Sequence, residues 1–246
     1  MSQPSSSGGR IAFFGGSFDP PHLGHLAVAR AAREALGLDT VLFAPVGAQP
    51  LKPVGATAGF DERVAMTRLA IAGEPGFEIS LADGPKPSGA ANYTVDALMT
   101  LRGELAPGYT LYCLMGADSL AGLQRWHRAA EIPFVAPLIV ASRPGQPLDD
   151  LKALLPRGLK MEEEVPDLPD SNVEVRCYSL VGTLGDRAGQ RAPFYLLPGL
   201  DVEISASRIR ELARSQFGTG EGSRAKGNEL LPDAVADYIR SHGLYR

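Results

Sequence analysis

The sequence is poor in cysteine and in long apolar runs, and each scarcity excludes a class of protein. Cys113 and Cys177 are its only cysteines, too few for a disulfide-stapled secreted domain, so we expect reduced thiols and a cytoplasmic location. No apolar run approaches the ~20 residues that a membrane-spanning helix needs, so we expect no membrane partner. The first nine residues, MSQPSSSGG, lack the charged and apolar regions of a signal peptide. They predict a disordered tail over residues 1–9.

A strong charge of either sign is also missing. The formal charge is −4 over 246 residues, so a broad basic surface and a nucleic-acid partner are not expected. A hydrophobic content of 44% is enough for one sizeable core, and we expect residues 10–246 to form a single domain. Within it, residues 146–172 show little periodicity beyond one short helix, which predicts a variable surface excursion. A homo-oligomer is compatible with the sequence, which defines no oligomeric state.

Short apolar runs alternate with helical segments along most of the chain. Strands are predicted over residues 11–14, 40–46, 77–81, 109–115, 134–141, 173–180 and 193–198. Helices are predicted over residues 24–37, 60–71 and 233–241, and from residues 92 and 205 onwards. This alternation predicts an α/β fold with a doubly wound parallel sheet. Polar loops follow the strands, and in such sheets ligands bind at the carboxyl ends of the strands.

The first of these loops, GGSFDPPHLGH at residues 15–25, carries the most chemistry. Gly15 and Gly16 let the backbone turn sharply beside a ligand, and two prolines then hold an extended turn. The helix begins near Gly24, so backbone N–H groups surround its N-terminus, where a phosphate binds readily. A Walker-type phosphate loop is excluded, because no Lys-Ser or Lys-Thr follows the glycines.

His22 and His25 lie in this loop and admit three interpretations. A zinc pair would need further Cys or His ligands, and none lies close in the sequence, so we expect no metal site of this kind. A structural pair of loop histidines remains open. We favour a site for the α-phosphate of a nucleotide, because both imidazoles can face the space in front of the strand end.

A second constellation begins a helix near the end of the chain. Ile204 and Ser205 are followed by Ser207 and Arg210 in the segment ISASRIR. A serine at this position can cap the helix. The hydroxyls, the guanidinium groups of Arg208 and Arg210 and the helix N-terminus could equally hold a triphosphate. In combination with the first loop, the phosphate interpretation is favoured.

These segments resemble a known family. GGSFDPPHLGH resembles the GxFDPxHxGH signature of the nucleotidyltransferase superfamily, and ISASRIR resembles its ISSTxIR motif. GADS at 116–119, ASRPG at 141–145, NYTVDAL at 92–98 and LPDAVADYIRSHGLY at 231–245 are similar to bacterial nicotinate mononucleotide adenylyltransferases. The chain departs from the family pattern at Val46-Gly47, where asparagines are frequent, and at Leu51, where a histidine usually precedes the basic residue. The arginine that often precedes the Tyr-Thr pair has no evident counterpart.

The resemblance implies transfer of the adenylyl group of ATP to nicotinate mononucleotide, with Mg²⁺ carried on the ATP. The residues it implies for catalysis are His22, His25, Lys52 and Arg210. Those implied for ATP binding are Gly15, Gly16, Ser17, Phe18, Gly24, His25, Gly116, Asp118, Ser119, Ile204, Ser205, Ser207 and Arg210. Thr94, Trp126 and Asp118 would bind the pyridine nucleotide.

Alternatives stay open at two of these residues and for the reaction. Asp118 could cap a helix instead of binding a ribose hydroxyl, and Trp126 could serve packing alone. Another adenylyltransferase of the superfamily, such as one acting on nicotinamide mononucleotide or pantetheine phosphate, would share the same motifs. A non-catalytic nucleotide-binding regulator on this fold is the third possibility.

Overall fold

The computed structural model describes residues 8–50, 55–142, 148–163, 171–200, 205–217 and 230–246. Its strands are β1 Arg10–Gly16, β2 Thr40–Pro45, β3 Phe77–Ile79, β4 Thr110–Gly116, β5 Leu138–Ala141, β6 Leu159–Glu163, β7 Arg176–Gly182 and β8 Arg191–Leu197. Its α-helices are α1 Leu23–Leu36, α2 Phe60–Ile71, α3 Thr94–Glu104, α4 Ala117–Gly122, α5 Ile132–Val135, α6 Leu148–Ala153, α7 Ala206–Phe217 and α8 Asp233–His242. Short 3₁₀ helices cover Leu123–Arg125, Ala129–Glu131 and Gly185–Arg187.

The strands form one sheet in the order β3-β2-β1-β4-β5-β8-β7-β6. Strands β1 to β5 and β8 pair in parallel, which confirms the predicted doubly wound α/β fold. Strand β7 is antiparallel to both of its neighbours. The connection from β7 to β8 spans only residues 183–190, and a parallel pairing needs a crossover of a dozen residues or more.

The central strands are buried on both faces, as their apolar sequences predict. Because side chains alternate along a strand, Phe13 and Cys113 pack into one core cluster. Their neighbours Ala12 and Leu114 pack with Ile139 into a second cluster on the opposite face. Helix α1 covers this second face and ends at Gly37, whose φ of 59° is the left-handed conformation expected of the glycine that follows a helix.

A third apolar cluster joins α2, α7 and α8. Met66, Ile209 and Val235 are buried there, together with Tyr245, which follows α8. This cluster therefore fixes α7, which carries the second predicted constellation, against the chain near its end. Within the described ranges no helix is both long enough and apolar enough to cross a membrane.

The strand predicted over residues 134–141 is wrong in its first half. Phe134 and Val135 belong to α5, and the strand begins only at Leu138. The whole stretch is one apolar run, and such a run does not distinguish a buried helix from a buried strand by periodicity.

The segment predicted as a surface excursion, residues 146–172, contributes to the sheet. Its described part contains the expected short helix, α6, but also strand β6, which pairs with β7. Leu151 of α6 is fully buried in the first core cluster. The remainder of the excursion, and residues 1–7 of the predicted tail, lie outside the described residues. Gly9, also predicted in the tail, accepts a hydrogen bond from the Thr110 N–H at 2.9 Å.

Candidate active site

A cavity opens at the carboxyl edge of the sheet, at the point where the winding reverses. Strands β2 and β3 extend the sheet on one side of β1, and β4 and β5 extend it on the other. A crevice forms outside β1 and β4 because the loops that follow them diverge. The cavity there has a volume of about 900 Å³, large enough for a small-molecule ligand.

The cavity collects predicted site residues from distant parts of the sequence. Those that line it are Gly15, Gly16, Ser17, Phe18, His22, Gly24, His25, Thr94, Gly116, Asp118, Ser119, Trp126, Ser205, Ser207 and Arg210. Two further predicted residues, Lys52 and Ile204, lie outside the described residues. The end of the cavity formed by His22, His25 and Arg210 is called the histidine end below. The end formed by Tyr93, Trp126 and His127 is called the aromatic end.

The loop after β1 brings its backbone close to the cavity. A Cβ atom at Gly15 would lie 2.7 Å from the Phe13 ring, so no larger residue fits without a shift. Phe18 has a φ of 47°, and its ring is only 1% exposed. The ring meets His25 edge-on with centroids 4.9 Å apart. Phe18 therefore supports a histidine through packing as well as lining the cavity.

His22 and His25 hold each other across the start of α1. The His22 N–H donates to Nδ1 of His25 at 3.1 Å, and the His25 N–H donates to the His22 carbonyl at 2.9 Å. The two ring centroids are 3.7 Å apart. Since Nδ1 of His25 accepts a hydrogen bond, the proton of its neutral ring is on Nε2.

Burial keeps both imidazoles neutral. It lowers the pKa of His22 from 6.5 to about 4, because a charged ring would lose its hydration. Burial and the neighbouring His22 together lower the pKa of His25 well below its ordinary value. At neutral pH each ring therefore offers one N–H donor and no positive charge.

Arg63 is a buried residue of α2 that sequence reasoning missed. Its guanidinium donates to three backbone carbonyls, those of Ser17 at 2.7 Å, Val46 at 2.8 Å and Ala58 at 3.3 Å. These carbonyls belong to the loops after β1 and β2, so Arg63 fixes both loops from behind the cavity. An arginine within a predicted helix carries no sequence signal for such a role.

Helix α7 contributes the second predicted constellation. Ser205 Oγ accepts a hydrogen bond from the Arg208 N–H at 3.2 Å, so this serine caps the helix, as one of the two interpretations required. Arg210 lies 191 positions beyond Asp19 in the sequence, yet it donates to the Asp19 carbonyl at 2.6 Å. It also donates to Ser207 Oγ at 3.1 Å. The capping residue Ser205 and the cation Arg210 therefore both line the cavity from α7 and the residue before it.

The aromatic end is built from the start of α3 and from the chain between the 3₁₀ helices Leu123–Arg125 and Ala129–Glu131. Trp126 lines the cavity and is partly buried against the first core cluster, so packing and cavity lining coexist. The rings of Tyr93 and His127 lie 4.3 Å apart, and both residues also line the cavity. Thr94 begins α3, whose first N–H groups have no acceptor within the helix. Sequence reasoning missed His127, which adjoins the tryptophan in the polar stretch QRWHR.

The departure at Gly47 has a structural explanation. A Cβ atom at Gly47 would lie 2.5 Å from the Pro85 nitrogen and 2.8 Å from Asn92 Oδ1. The Asn92 side chain accepts from the Ala48 N–H at 2.9 Å and donates to the Gly84 carbonyl at 2.8 Å. The loop over residues 83–92 therefore packs directly on Gly47, and an asparagine in place of Gly47 would displace this loop.

Asp83 is the second buried charged residue that sequence reasoning missed. Its side chain lines the cavity, the residue is 3% exposed, and Oδ1 has no hydrogen-bond partner within the described ranges. Burial raises the pKa of this carboxyl from 3.8 to about 7, while Asn92 and Lys86 act in the opposite direction. Burial therefore favours the protonated form of this carboxyl.

Asp118 lies in the first turn of α4, where it lines the cavity. The residue that caps this helix is Gly116, so the interpretation of Asp118 as an N-cap is wrong. Gly116 and Ser119 line the cavity on either side of it. Among the described residues there is no group of three or more His, Cys, Asp or Glu placed to hold a metal ion.

Comparison with known proteins gives consistent results. Residues 13–212 match the family described as Cytidylyltransferase-like. A protein of Gloeobacter violaceus named "Probable nicotinate-nucleotide adenylyltransferase" is 37% identical, covering 97% of each chain. One of the same name from Laribacter hongkongensis is 40% identical, covering 96% of this chain and 94% of its own. The solved structure of Plasmodium falciparum nicotinic acid mononucleotide adenylyltransferase complexed with NaAD has a TM-score of 0.66 at 18% identity, covering 96% and 97% of the two chains. It shares the fold.

Proposed function

Because the chain belongs to the cytidylyltransferase-like family and, within it, to the nicotinate-nucleotide adenylyltransferases, we propose that it transfers an adenylyl group from ATP to nicotinate mononucleotide. The products are nicotinate adenine dinucleotide and pyrophosphate, in the biosynthesis of NAD. Residues 10–246 act as one catalytic domain in this proposal. We also propose a cytoplasmic location, which the small number of cysteines in the sequence supports.

The observation that carries the proposal is the layout of the cavity. Neutral N–H donors and a cation lie at the histidine end, and ring systems beside a helix start lie at the aromatic end. ATP and a pyridine mononucleotide need these two kinds of surface, and their reacting phosphates must meet between them. The loop after β1 and the start of α4 approach that middle region from β1 and β4.

The reaction is an attack by the 5′-phosphate of nicotinate mononucleotide on the α-phosphorus of ATP. An oxygen–phosphorus bond forms, and the bond to the pyrophosphate leaving group breaks. The attacking phosphate is already an anion at neutral pH, so no protein base and no covalent intermediate is required. The protein must align two anions that repel each other and stabilise the charge that develops in the transition state.

His22 and His25 are the proposed donors to that charge. A neutral imidazole N–H donates a hydrogen bond without the cost of holding a charged ring in a buried site. The hydrogen bond from the His22 N–H fixes the His25 tautomer, so the Nε2–H of His25 is ready to donate without rearrangement. Backbone N–H groups of the loop from Gly15 to Phe18 and the α1 N-terminus would add to the binding of phosphate.

Arg210 and Lys52 are the proposed cations for the outer phosphates. Nucleotidyltransferases generally use a divalent metal with ATP, and we propose Mg²⁺ as that ion. Such an ion would arrive on the triphosphate, because Mg²⁺ is usually bound through substrate phosphates. When bound, it would neutralise part of the triphosphate charge.

The remaining residues would bind the nucleosides. Asp118 is proposed to accept a ribose hydroxyl, with Gly116 and Ser119 beside it. Ile204, Ser205 and Ser207 would complete the ATP site. Trp126 would stack on the pyridine ring, and Thr94 with the first N–H groups of α3 would bind the nicotinate carboxylate.

The decisive experiment is pyrophosphate release from ATP and Mg²⁺ with a panel of acceptors. The panel contains nicotinate mononucleotide, nicotinamide mononucleotide and pantetheine phosphate, and the first should give the highest kcat/KM. A higher value for another acceptor would replace the substrate while leaving adenylyl transfer in place. Binding of ATP without pyrophosphate release from any acceptor would instead support a non-catalytic regulator.

A further inference from the structure

The carboxylate of Asp19 is a meeting point of four segments of the chain. Its Oδ2 accepts from the Thr57 N–H at 2.6 Å, and its Oδ1 accepts from the Ala58 N–H at 3.0 Å. The Tyr245 hydroxyl, 226 positions away in the sequence, also donates to Oδ1, at 2.8 Å. Arg210 Nη1 donates to the Asp19 carbonyl at 2.6 Å and lies 3.8 Å from Asp19 Oδ2. Asp19 therefore joins the first loop, the loop after β2, helix α7 and the chain beyond α8.

Positively charged groups outnumber negatively charged ones around Asp19. Burial lowers the pKa of Arg63, and the neighbouring Asp19 opposes this shift. The hydrogen bonds of the Arg63 guanidinium go to backbone carbonyls. Arg210 is the second guanidinium beside this single carboxylate. The group as a whole carries one net positive charge at the histidine end, which suits an anionic ligand.

Tyr245 is held in place by packing that is independent of its hydroxyl. The residue is 5% exposed and lies in the third apolar cluster with Ile209 of α7 and Met66 of α2. Burial and the neighbouring Asp19 raise the pKa of Tyr245 above its ordinary value of 10. The hydroxyl therefore stays protonated at every pH of interest, and it acts as a neutral donor.

We propose that Tyr245 is a positioning residue for the triphosphate-binding cation, acting on Arg210 through Asp19. Three neutral donors, from Thr57, Ala58 and Tyr245, satisfy the Asp19 carboxylate. A carboxylate satisfied in this way competes weakly for a guanidinium, so Arg210 donates to the Asp19 carbonyl and to Ser207 Oγ and keeps its remaining N–H groups for phosphate. The inference rests on the proposed role of Arg210 in binding ATP.

Removal of the Tyr245 hydroxyl would favour pairing of Arg210 with the Asp19 carboxylate. Oδ1 would keep only the Ala58 N–H as a donor. Loss of a hydrogen bond to a buried carboxylate costs free energy, and a new hydrogen bond or a closer ion pair would lower that cost. Among the described residues, Arg210 is the one that forms an ion pair with this carboxylate, and its Nη1 is already 3.8 Å from Oδ2. A closer ion pair would turn the guanidinium away from the ligand and weaken the binding of ATP.

The test is Tyr245→Phe, which keeps the ring and its packing. We expect the KM for ATP to rise about fivefold to tenfold, the size of effect that one lost hydrogen bond produces. The KM for nicotinate mononucleotide and the kcat should change less than about twofold. Tyr238→Phe is the matched control, because Tyr238 lies on α8 with its ring stacked on His242 at 3.9 Å, away from Asp19. An unchanged KM for ATP in Tyr245→Phe would overturn the inference.

A double-mutant cycle separates a positioning role from a general loss of structure. If Tyr245 acts through Arg210, Tyr245→Phe adds less than about twofold to the KM for ATP in an Arg210→Ala background. Equal effects in both backgrounds would overturn the inference and leave the proposed function intact. An Arg210→Ala variant with normal ATP binding would instead remove the premise that Arg210 holds the triphosphate.

A second substitution at Tyr245 tests whether the effect of Tyr245→Phe arises from altered packing or folding. Tyr245→Met also lacks the donor but fills the apolar site differently. Both variants should show the same selective increase in the KM for ATP, measured at a temperature where circular dichroism shows them folded. An increase confined to one of them would assign the effect to packing and would contradict the inference.

Discussion

The two ends of the cavity are constructed in different ways. At the histidine end, hydrogen bonds to the backbone hold every element: His22 to His25, Arg63 to three carbonyls and Arg210 to the Asp19 carbonyl. At the aromatic end, the Tyr93 and His127 rings pack together, and the Asn92 side chain joins the loop of residues 83–92 to the backbone of Ala48. The difference teaches that the proposed phosphate chemistry depends on loops held by arginine and histidine side chains, whereas the proposed choice of acceptor depends on ring packing and on one asparagine.

The largest effect is expected at the histidine end. His25→Ala should lower kcat by about 10²–10³, because a donor aimed at developing charge acts mainly in the transition state. The Kd for ATP should change much less. His242→Ala, a substitution on α8 outside the cavity, is the control for general effects. A folded His25→Ala enzyme with near-normal kcat would contradict the assignment.

The next prediction tests the packing of the aromatic end. Gly47→Ala should lower the free energy of unfolding by about 2 kcal/mol, because its Cβ would overlap the Pro85 backbone and force the loop to shift. It should also raise the KM for nicotinate mononucleotide more than the KM for ATP. The control is Gly103→Ala on α3, where a Cβ meets open space and chemical denaturation should show equal or higher stability. Unchanged stability in Gly47→Ala would show that the loop is not constrained there.

Asp83 gives the same end of the cavity a pH dependence. Its pKa of about 7 lies above the ordinary 3.8, so the folded state holds the proton more tightly than the unfolded state does. The stability this provides is fully present below pH 3.8 and is lost as the pH rises through about 7.

Asp83→Asn should therefore gain stability relative to the wild type as the pH rises, by about 2 kcal/mol between pH 5 and pH 8. His22, whose pKa is lowered to about 4, works in the opposite direction: its contribution is present above pH 6.5 and lost as the pH falls. It is present in both proteins, so it cancels in the comparison. Parallel stability curves from urea unfolding would rule out a buried, titrating Asp83.

Arg210→Ala should weaken ATP binding about tenfold and AMP binding less than about twofold, if the guanidinium contacts the outer phosphates. Isothermal titration calorimetry with both nucleotides measures this difference. Arg208→Ala is the matched control, since Arg208 is the exposed neighbour on α7 and does not line the cavity. Equal losses for ATP and AMP would refute the contact with the outer phosphates.

The smallest effect concerns the choice between acid and amide. The wild type should prefer nicotinate over nicotinamide mononucleotide by at least about tenfold in kcat/KM, because N–H and O–H donors face a carboxylate better than an amide NH₂. Trp126→Ala should raise both KM values about fivefold and in parallel, since a stacked ring holds either substrate. Trp126→Phe should retain most of the affinity. Comparable kcat/KM values for acid and amide in the wild type would contradict the proposed role of Thr94.

Much of the fold follows from local patterns. The central strands are apolar runs bounded by glycines and polar loops, and α2 covers the predicted residues 60–71. The errors occur where local patterns are ambiguous. Residues 134–135 form part of an apolar run that suits helix and strand equally. Strand β6 is a half-exposed edge strand whose pairing partner, β7, begins only at Arg176.

The sequence alone determined the parts of the site that lie within one motif. His22 and His25 are three residues apart at a helix start, and glycines precede them, so their arrangement follows from the geometry of one turn. Ser205 likewise caps α7 from its position in the sequence. Such features depend on neighbours along the chain, and they can be deduced without a fold.

Only the tertiary structure decided the rest. Arg63 and Asp83 match no pattern of spacing, and Tyr245 lies in a motif that assigned it no role. Their environments come from segments as far as 226 positions away. A pKa shift or a charge balance depends on burial and on neighbouring groups in three dimensions, and a single residue type carries neither. The aromatic end is similar: the need for glycine at position 47 arises from the backbone of Pro85, which only folding brings within 3 Å of the position of its Cβ.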